Sequence, residues 1–380
     1  MKFDFRGVTA IYGRPGTGKT SLAMRFAHER VAEGQNVLWI SVYEDKETFF
    51  KNAAALGYDL SKVEFWDMIF VRPDVILNQM ISAASQGNYG LVVADSISSL
   101  VENLQSREYL INAVYRVFKP SGIDFIGIAE EEAVTPLDYI ADNLLRMELR
   151  LENGVAERRM YVIKARGRRA GYYLELDILE GQGVVFLDDL PRPAPKGPWE
   201  KWADSISQAT GPVRGGGVYL FIGRGLTPLL AKAAAELSRE GLKVLYRVFS
   251  RDASAASDLV EKFGGKATVQ RVEPRLQSHF THIKGLYDTL AETSADVLIS
   301  EGVDAEFFTY GKKAVDINRQ EIEELRKLGV ATFVNVDKDF GLKSLADAVA
   351  IVKADKAVVY SARGRSLCRC ETDAAPRLVC

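Results

Sequence analysis

Val8-Thr9-Ala10-Ile11-Tyr12-Gly13-Arg14-Pro15-Gly16-Thr17-Gly18-Lys19-Thr20-Ser21 is the stretch on which the fold turns. The apolar run Val8 to Tyr12 predicts a short strand ending in a glycine loop. From Thr20 to Glu33, residues Leu22, Ala23, Phe26 and Ala27 share one helical face. Strand, loop and helix in that order make Gly13-x-x-x-x-Gly18-Lys19-Thr20 a complete Walker A motif. Glycines let the backbone curl so that successive amides point at phosphates, and the following helix adds the positive end of its dipole. Gly13, Arg14, Pro15, Gly16, Thr17, Gly18, Lys19, Thr20 and Ser21 are therefore expected to bind ATP. Lys19 would reach the β- and γ-phosphates, and the Thr20 hydroxyl would ligate Mg²⁺.

Working outward, Val37 to Val42, Leu91 to Ala94 and Phe125 to Ala129 are nearly continuous apolar runs between helical stretches. That pattern suits parallel strands buried on both faces. Asp95 follows such a run, as a Walker B carboxylate does, and is expected to hold Mg²⁺; the plainer reading is a cap on the next helix at Ser96. Glu44 and Asp45 follow the second strand. A carboxylate there can activate an attacking water, or the pair can simply stabilise a helix N-terminus; spacing leaves both readings open. Leu145 to Leu151 and Arg159 to Ala165 flank Asn153-Gly154, a hairpin signal.

The second half repeats the first. Glu33-Gly34-Gln35-Asn36-Val37-Leu38-Trp39 is answered by Glu240-Gly241-Leu242-Lys243-Val244-Leu245-Tyr246. Gly13-Arg14 is answered by Gly223-Arg224, Leu91 to Asp95 by Val297 to Glu301, Ala141-Asp142 by Ala346-Asp347, and Ala165 to Arg168 by Ala362 to Arg365. Five matches in one order argue for tandem copies of one fold. Between the copies lie Pro191, Pro193, Pro195, Pro198 and Pro212, five of the chain's twelve prolines. Proline removes amide donors and stiffens the chain, so residues 188–212 read as a linker. The expected fold is α/β: residues 1–187 and 213–380 form two tandem domains of one kind. Each has a mainly parallel sheet, flanking helices and a C-terminal antiparallel hairpin.

The 380 residues exceed what one ordinary core fills, and 47% apolar with 26% charged residues is the balance of a globular protein. A net charge of −2 excludes the whole molecule as an electrostatic nucleic-acid binder, leaving only local patches. No apolar run is long enough for a bilayer, and Met1 to Arg6 lacks a signal-peptide core, so the expectation is a cytoplasmic protein without membrane contact. Cys368, Cys370 and Cys380 are read as reduced thiols; with His279 and His282 they offer no fixed metal-binding spacing.

The ordered set Gly13–Ser21, Val37 to Asp45, Leu56-Gly57-Tyr58-Asp59-Leu60, Asp95-Ser96 and Lys164-Ala165-Arg166-Gly167 resembles the KaiC-like branch of the RecA superfamily and the archaeal RadB-type recombinase paralogues. The likeness covers residues 7–187 well and 215–370 in outline. It implies rings or filaments with ATP between subunits, hence a homo-oligomer or a related protein as partner. It places the catalytic carboxylate in the acidic pair, at Glu44, with Asp45 where the family usually has a second Glu. It also sends Lys164 and Arg166 to the γ-phosphate of a neighbouring subunit's ATP. The residues agree as far as they go: two cations two apart in a strand share a face, although basic residues also protect edge strands. This chain starts almost on its first strand, where the family usually has a longer lead-in.

In the second copy the loop reads Gly223-Arg224-Gly225-Leu226-Thr227-Pro228-Leu229, two residues shorter and without the lysine. Pro228 removes an amide, Glu301 stands for Asp95 and Ser361 for Lys164. The second copy is thus expected to keep the fold without nucleotide chemistry. Lys353-x-Asp355 in that copy, faintly like a guanine-specificity motif, is discounted. The leading expectation is a slow ATPase or ATP-dependent assembly switch. The alternative is a DNA-binding recombinase paralogue, resting on Arg158, Arg159, Lys164, Arg166, Arg168 and Arg169.

Overall fold

The computed structural model describes residues 5–86, 88–100, 104–130, 136–152, 154–249, 252–275, 277–371 and 375–380. It divides into two compact units, Met1–Leu190 and Pro191–Cys380.

In the first unit the order is β1 (Val8–Tyr12), α1 (Lys19–Ala32), β2 (Asn36–Ser41), α2 (Lys46–Ala55), β3 (Glu64–Asp67), α3 (Pro73–Gln86), β4 (Tyr89–Asp95), α4 (Leu104–Ala113), β5 (Asp124–Ala129), α5 (Pro136–Ile140), β6 (Asn143–Glu152), β7 (Val155–Ala165), β8 (Tyr172–Leu179) and β9 (Gly183–Phe186). The sheet order is β3-β2-β4-β5-β1-β6-β7-β8-β9. Pairings from β3 to β6 are parallel, and β7, β8 and β9 add antiparallel strands. The anticipated hairpin is therefore the start of a larger extension. Its turn residue Asn153 lies outside the described residues.

Both faces of the parallel strands are covered, which is why they read as continuous apolar runs. Leu91 and Val93 of β4 pack with Trp39, Phe49, Leu22 and Phe26. Val92 and Ala94 point the other way, among Leu38, Ile40, Ile76, Leu77 and Met80. Trp39 packs against Phe49 in a tilted arrangement at 4.7 Å between centroids, and each such buried ring contributes about 1.5–3 kcal/mol or more by leaving water. The strand ends at Tyr12, Ser41, Asp95 and Ala129 consequently lie side by side at one edge of a rigid layer.

The second unit has a small ribbon of β10 (Glu200–Lys201) and β11 (Val213–Arg214) around α6 (Ser207–Thr210). Then come β12 (Val218–Ile222), α7 (Thr227–Arg239), β13 (Val244–Val248), α8 (Ala253–Lys262), β14 (Thr268–Arg271), α9 (His279–Thr293), β15 (Val297–Glu301), α10 (Asp304–Tyr310), α11 (Lys313–Lys327), β16 (Ala331–Val336), β17 (Ala348–Lys353), β18 (Lys356–Ser361), β19 (Gly364–Glu371) and β20 (Arg377–Val379). Its sheet order, β14-β13-β15-β16-β12-β17-β18-β19-β20, reproduces the first strand for strand.

Part of the proline-rich segment belongs to this second unit's core. Ala203, Ile206, Ala209 and Val213 are buried among its apolar side chains, and the Lys196 amide donates to the Leu328 carbonyl at 2.8 Å. Stiff, donor-poor chain can still pack where its apolar residues find a face. The cysteines correct another expectation: Cys368 and Cys380 form a disulfide joining β19 to the residue after β20, while Cys370 is buried as a thiol. Antiparallel pairing brings residues twelve apart into register, a proximity that spacing did not reveal. His282 is engaged by Glu321 at 2.6 Å. Among the described residues no helix is long and apolar enough to cross a membrane.

Candidate active site

The glycine loop is closed by its own atoms. Thr17 N, Thr17 Oγ1 and Lys19 Nζ all donate to the Arg14 carbonyl, at 3.3, 2.9 and 3.2 Å. Gly13 has φ +150°, and a Cβ there would lie 2.3 Å from the Met147 carbonyl oxygen, so β6 forbids a side chain. At Gly16 and Gly18 φ is +80° and +98°, a conformation that favours glycine. Lys19 is buried at the start of α1. Burial lowers its proton affinity, and the charges of Glu130 and Asp95 oppose that effect.

A cavity of about 510 Å³ opens beside the loop, lined by Thr20, Ser21, Met24, Ser41, Tyr43, Glu44, Asn52, Asp95 and Glu130. Thr20 Oγ1 donates to Asp95 Oδ2 at 2.8 Å. Burial pushes the Asp95 carboxyl up to about 6, despite the Thr20 hydrogen bond and the nearby Lys19. Next to it, the Ser96 hydroxyl is buried and has no hydrogen-bond partner among the described residues.

Glu44 and Asp45 part company. The Ser41 hydroxyl donates to the Glu44 carbonyl at 2.7 Å and accepts from its amide at 3.0 Å, clipping the backbone so that the Glu44 side chain lines the cavity. Its carboxyl is raised by burial, against a hydrogen bond from Asn52. Asp45 is the N-cap of α2, accepting from Thr48 N at 2.9 Å and Thr48 Oγ1 at 2.8 Å, and these bonds lower its carboxyl. It does not line the cavity. Glu130, immediately after β5, does, although no motif drew attention to it; a carboxylate at the end of an apolar run, as at Asp95, is the signal that could have found it.

Lys164 and Arg166 are gathered elsewhere. Lys164 donates to the Asp138 carbonyl at 3.1 Å. Arg166 lies in the turn after β7 rather than in the strand and pairs with Asp142 at 3.0 Å. The strand ends at Ala165 because Gly167, φ +77°, turns the chain back. Neither cation lines the cavity beside Lys19. Of the other basic residues, Arg158 pairs with Asp177 at 2.9 Å, and Arg159 with Glu157 and Glu175 at 3.6 and 3.5 Å. Arg168 and Arg169 sit over the rings of Phe5 and Tyr172.

In the second unit the corresponding groups bond one another, and a smaller cavity of about 370 Å³, lined by Arg224, Gly225, Glu301, Asp304, Asn335 and Asp337, opens beside the shortened loop. Thr227 Oγ1 donates to Glu301 Oε1, and Tyr246 OH to Glu301 Oε2 at 2.7 Å. The Asn335 amide donates to the Phe221 and Gly223 carbonyls at 3.2 and 3.1 Å, across the base of the shortened loop.

A loop of this form between a buried parallel strand and a helix, in this strand order, defines a P-loop ATPase of the RecA superfamily. The family model described as "ATPase: KaiC" matches residues 3–190. The circadian clock protein KaiC2 of Synechocystis sp. is 24% identical over 204 residues, 48% of this chain and 36% of that protein. The chain thus matches about a third of the length of this curated relative. The first unit is thus KaiC-like, a P-loop ATPase domain of the RecA superfamily.

Proposed function

We propose that the first unit binds ATP with Mg²⁺ at the loop and its cavity and hydrolyses it slowly. The nucleotide state would control association with another copy of the chain or a related protein. The observation that carries this reading is the convergence of Thr20, Asp95 and Glu44 on one cavity beside the buried Lys19.

The residues fit a divalent cation. A buried Asp95 carboxyl, a hydroxyl on Thr20 and the Ser96 hydroxyl, which has no partner among the described residues, offer hard oxygen atoms where a cation and its water shell would satisfy them. Mg²⁺ bound there would neutralise charge on the β- and γ-phosphates. Gly13 to Ser21 would cradle the phosphates, with Lys19 exchanging the Arg14 carbonyl for a phosphate oxygen. Glu44 would accept a proton from the attacking water; a carboxylate whose proton affinity is raised by burial suits that task. Asp45 holds the helix behind it.

Lys164 and Arg166 act in this proposal on the ATP of a neighbouring subunit. The Arg166 side chain is 57% exposed, and an ion pair so placed is worth about 0–1 kcal/mol, so Asp142 releases it readily. The second unit serves as scaffold or docking surface, since its loop lacks the lysine and its Glu301 is held by Thr227 and Tyr246.

The test is ATP turnover by the full chain, with and without Mg²⁺ and with and without single-stranded DNA. Mg²⁺-dependent turnover indifferent to DNA is expected. Failure to bind ATP overturns the proposal, and strong stimulation by DNA moves the chain to the recombinase class.

A further inference from the structure

The cavity contains one contact that the proposed chemistry has not used. Asn52 Nδ2 donates to Glu44 Oε1 at 2.6 Å, and both side chains line the cavity with Thr20 and Asp95. We propose that Asn52 is the positioning residue for Glu44: its amide holds one carboxylate oxygen and leaves the other to receive a proton. This rests on Glu44 acting as the base.

The geometry follows from the sequence in three steps. Ser41, the last residue of β2, clips both backbone polar groups of Glu44. Asp45, the next residue, caps α2 and so sets where the helix begins. With about 3.6 residues per turn, the residue seven beyond the cap returns to its side two turns later, and that residue is Asn52. The β2 end, the cap and the amide thus fix Glu44 from its backbone to its carboxylate.

The chemistry of an amide matters here. The charges around Glu44 are Asp45 beside it and, on the same cavity, Asp95 on β4 and Glu130 beyond β5; Lys19 on α1 lies near Asp95, and Tyr43 is on the cavity wall. Lys or Arg at position 52 would neutralise the base. A leucine there would leave it free to rotate towards solvent. Asn donates a directed hydrogen bond without a charge, orienting the carboxylate while keeping it able to accept a proton. Burial and the neighbouring carboxylates favour a protonated, idle Glu44, and the Asn52 hydrogen bond opposes them.

Asn52→Ala and Asn52→Asp in the full chain test this, with Glu44→Gln as reference. Asn52→Ala is expected to lower kcat about tenfold near neutral pH, less than the ~10²-fold or more lost with Glu44→Gln, and to leave the KM for ATP within about twofold. The acid limb of the kcat–pH profile should move to higher pH in Asn52→Ala. It should move further in Asn52→Asp, which replaces the donor by a second carboxylate. A parallel measurement needs no turnover: the ¹³C carboxyl resonance of Glu44, assigned by its loss in Glu44→Gln, should titrate at higher pH in both variants. An unmoved resonance, or a kcat loss that merely tracks a loss of Tm with an unmoved acid limb, overturns the proposal and leaves Asn52 a surface residue of α2. Wild-type turnover by Glu44→Gln would instead overturn the base assignment, while the ¹³C titration would still report the Asn52 contact.

Discussion

Thr227 hydrogen-bonds Glu301 in the second unit at the positions that Thr20 and Asp95 hold in the first. The strand-to-helix relationship survives there with different groups around it. Glu301 takes a second bond from Tyr246, which stands where the first unit has Trp39, so both oxygens of a buried carboxylate are satisfied by the protein. Tyr246→Phe should accordingly destabilise the second unit by about 1–3 kcal/mol, the usual cost of stranding a buried acceptor. ATP turnover per folded molecule should be unchanged. Denaturant unfolding with a parallel ATPase assay checks both. A fall in ATP affinity would mean that the second unit holds nucleotide after all.

Lys19→Ala should remove calorimetrically detectable ATP binding from the whole chain, because no second lysine stands in a loop of this kind. One charge-assisted contact alone accounts for ~1.5–3 kcal/mol, or roughly 10–100-fold in affinity. Circular dichroism should be unaltered. Residual binding at wild-type affinity would refute the assignment of the loop.

The two acids after β2 should separate cleanly. Glu44→Gln should retain ATP binding and lose turnover by ~10²–10⁴-fold. Asp45→Ala should lower Tm, since it removes the cap of α2, while turnover at a temperature well below Tm stays within about threefold. The opposite ranking in a turnover assay would exchange their roles.

A buried charged cluster gives the second unit its own pH dependence. Arg247, Ser300 and His282 take the places of Ile40, Ala94 and Ile76; Arg247 and His282 meet Glu321 from α11, Arg247 also donates to the Ser300 hydroxyl, and Glu306 lies nearby. Burial alone would disfavour the charge on His282, but its hydrogen bond to Glu321 outweighs that and raises its proton affinity above the ordinary 6.5. Burial and the Glu321 charge raise Glu306 above 4.5. Both contributions to stability are complete below those values and fade as pH rises through the raised ones. Glu321 behaves oppositely: against its burial, Arg247 and His282 hold it down to about 2, so its contribution is present above 4.5 and fades as pH falls towards 2. Stability of this unit should therefore be greatest near pH 4.5, fall below it as Glu321 is protonated, decline above it as Glu306 ionises, and decline again above 6.5 as His282 loses its proton. Glu321→Gln should cost about 3–5 kcal/mol, because it leaves the Arg247 charge buried without compensation. Urea midpoints across the pH range measure both effects; a flat profile would contradict the cluster's role.

The role of Arg166 across subunits has a mixing test. Arg166→Ala keeps an intact loop, and Lys19→Ala keeps an intact Arg166. If subunits associate head to tail, about a quarter of the interfaces in an equal mixture pair one protein's loop with the other's arginine. ATPase activity should then exceed the sum of the two parents. No recovery, together with a sedimentation coefficient indifferent to ATP, would return Lys164 and Arg166 to the role of a solvated basic turn.

The loop, the parallel strands and the repeat were legible in the sequence because each is local or periodic. Glycine spacing specifies a backbone shape, apolar runs specify two covered faces, and matched segments specify one topology twice. The length of the antiparallel extension was not, since β8 and β9 are amphipathic strands whose pairing depends on distant neighbours. Nor could spacing divide Glu44 from Asp45: adjacent acids look alike until a helix begins at one and a cavity opens at the other. The inward packing of Ala203, Ile206 and Ala209, the meeting of Cys368 with Cys380, and the approach of Glu130 to Lys19 join residues far apart in the chain or face unrelated neighbours. The sequence by itself determined the glycine loop and the doubled α/β plan, because those are carried by contiguous residues. Only the tertiary structure decided which carboxylates share the cavity and that Tyr246 bonds Glu301 in the second unit, because those outcomes depend on which strand ends the sheet brings side by side.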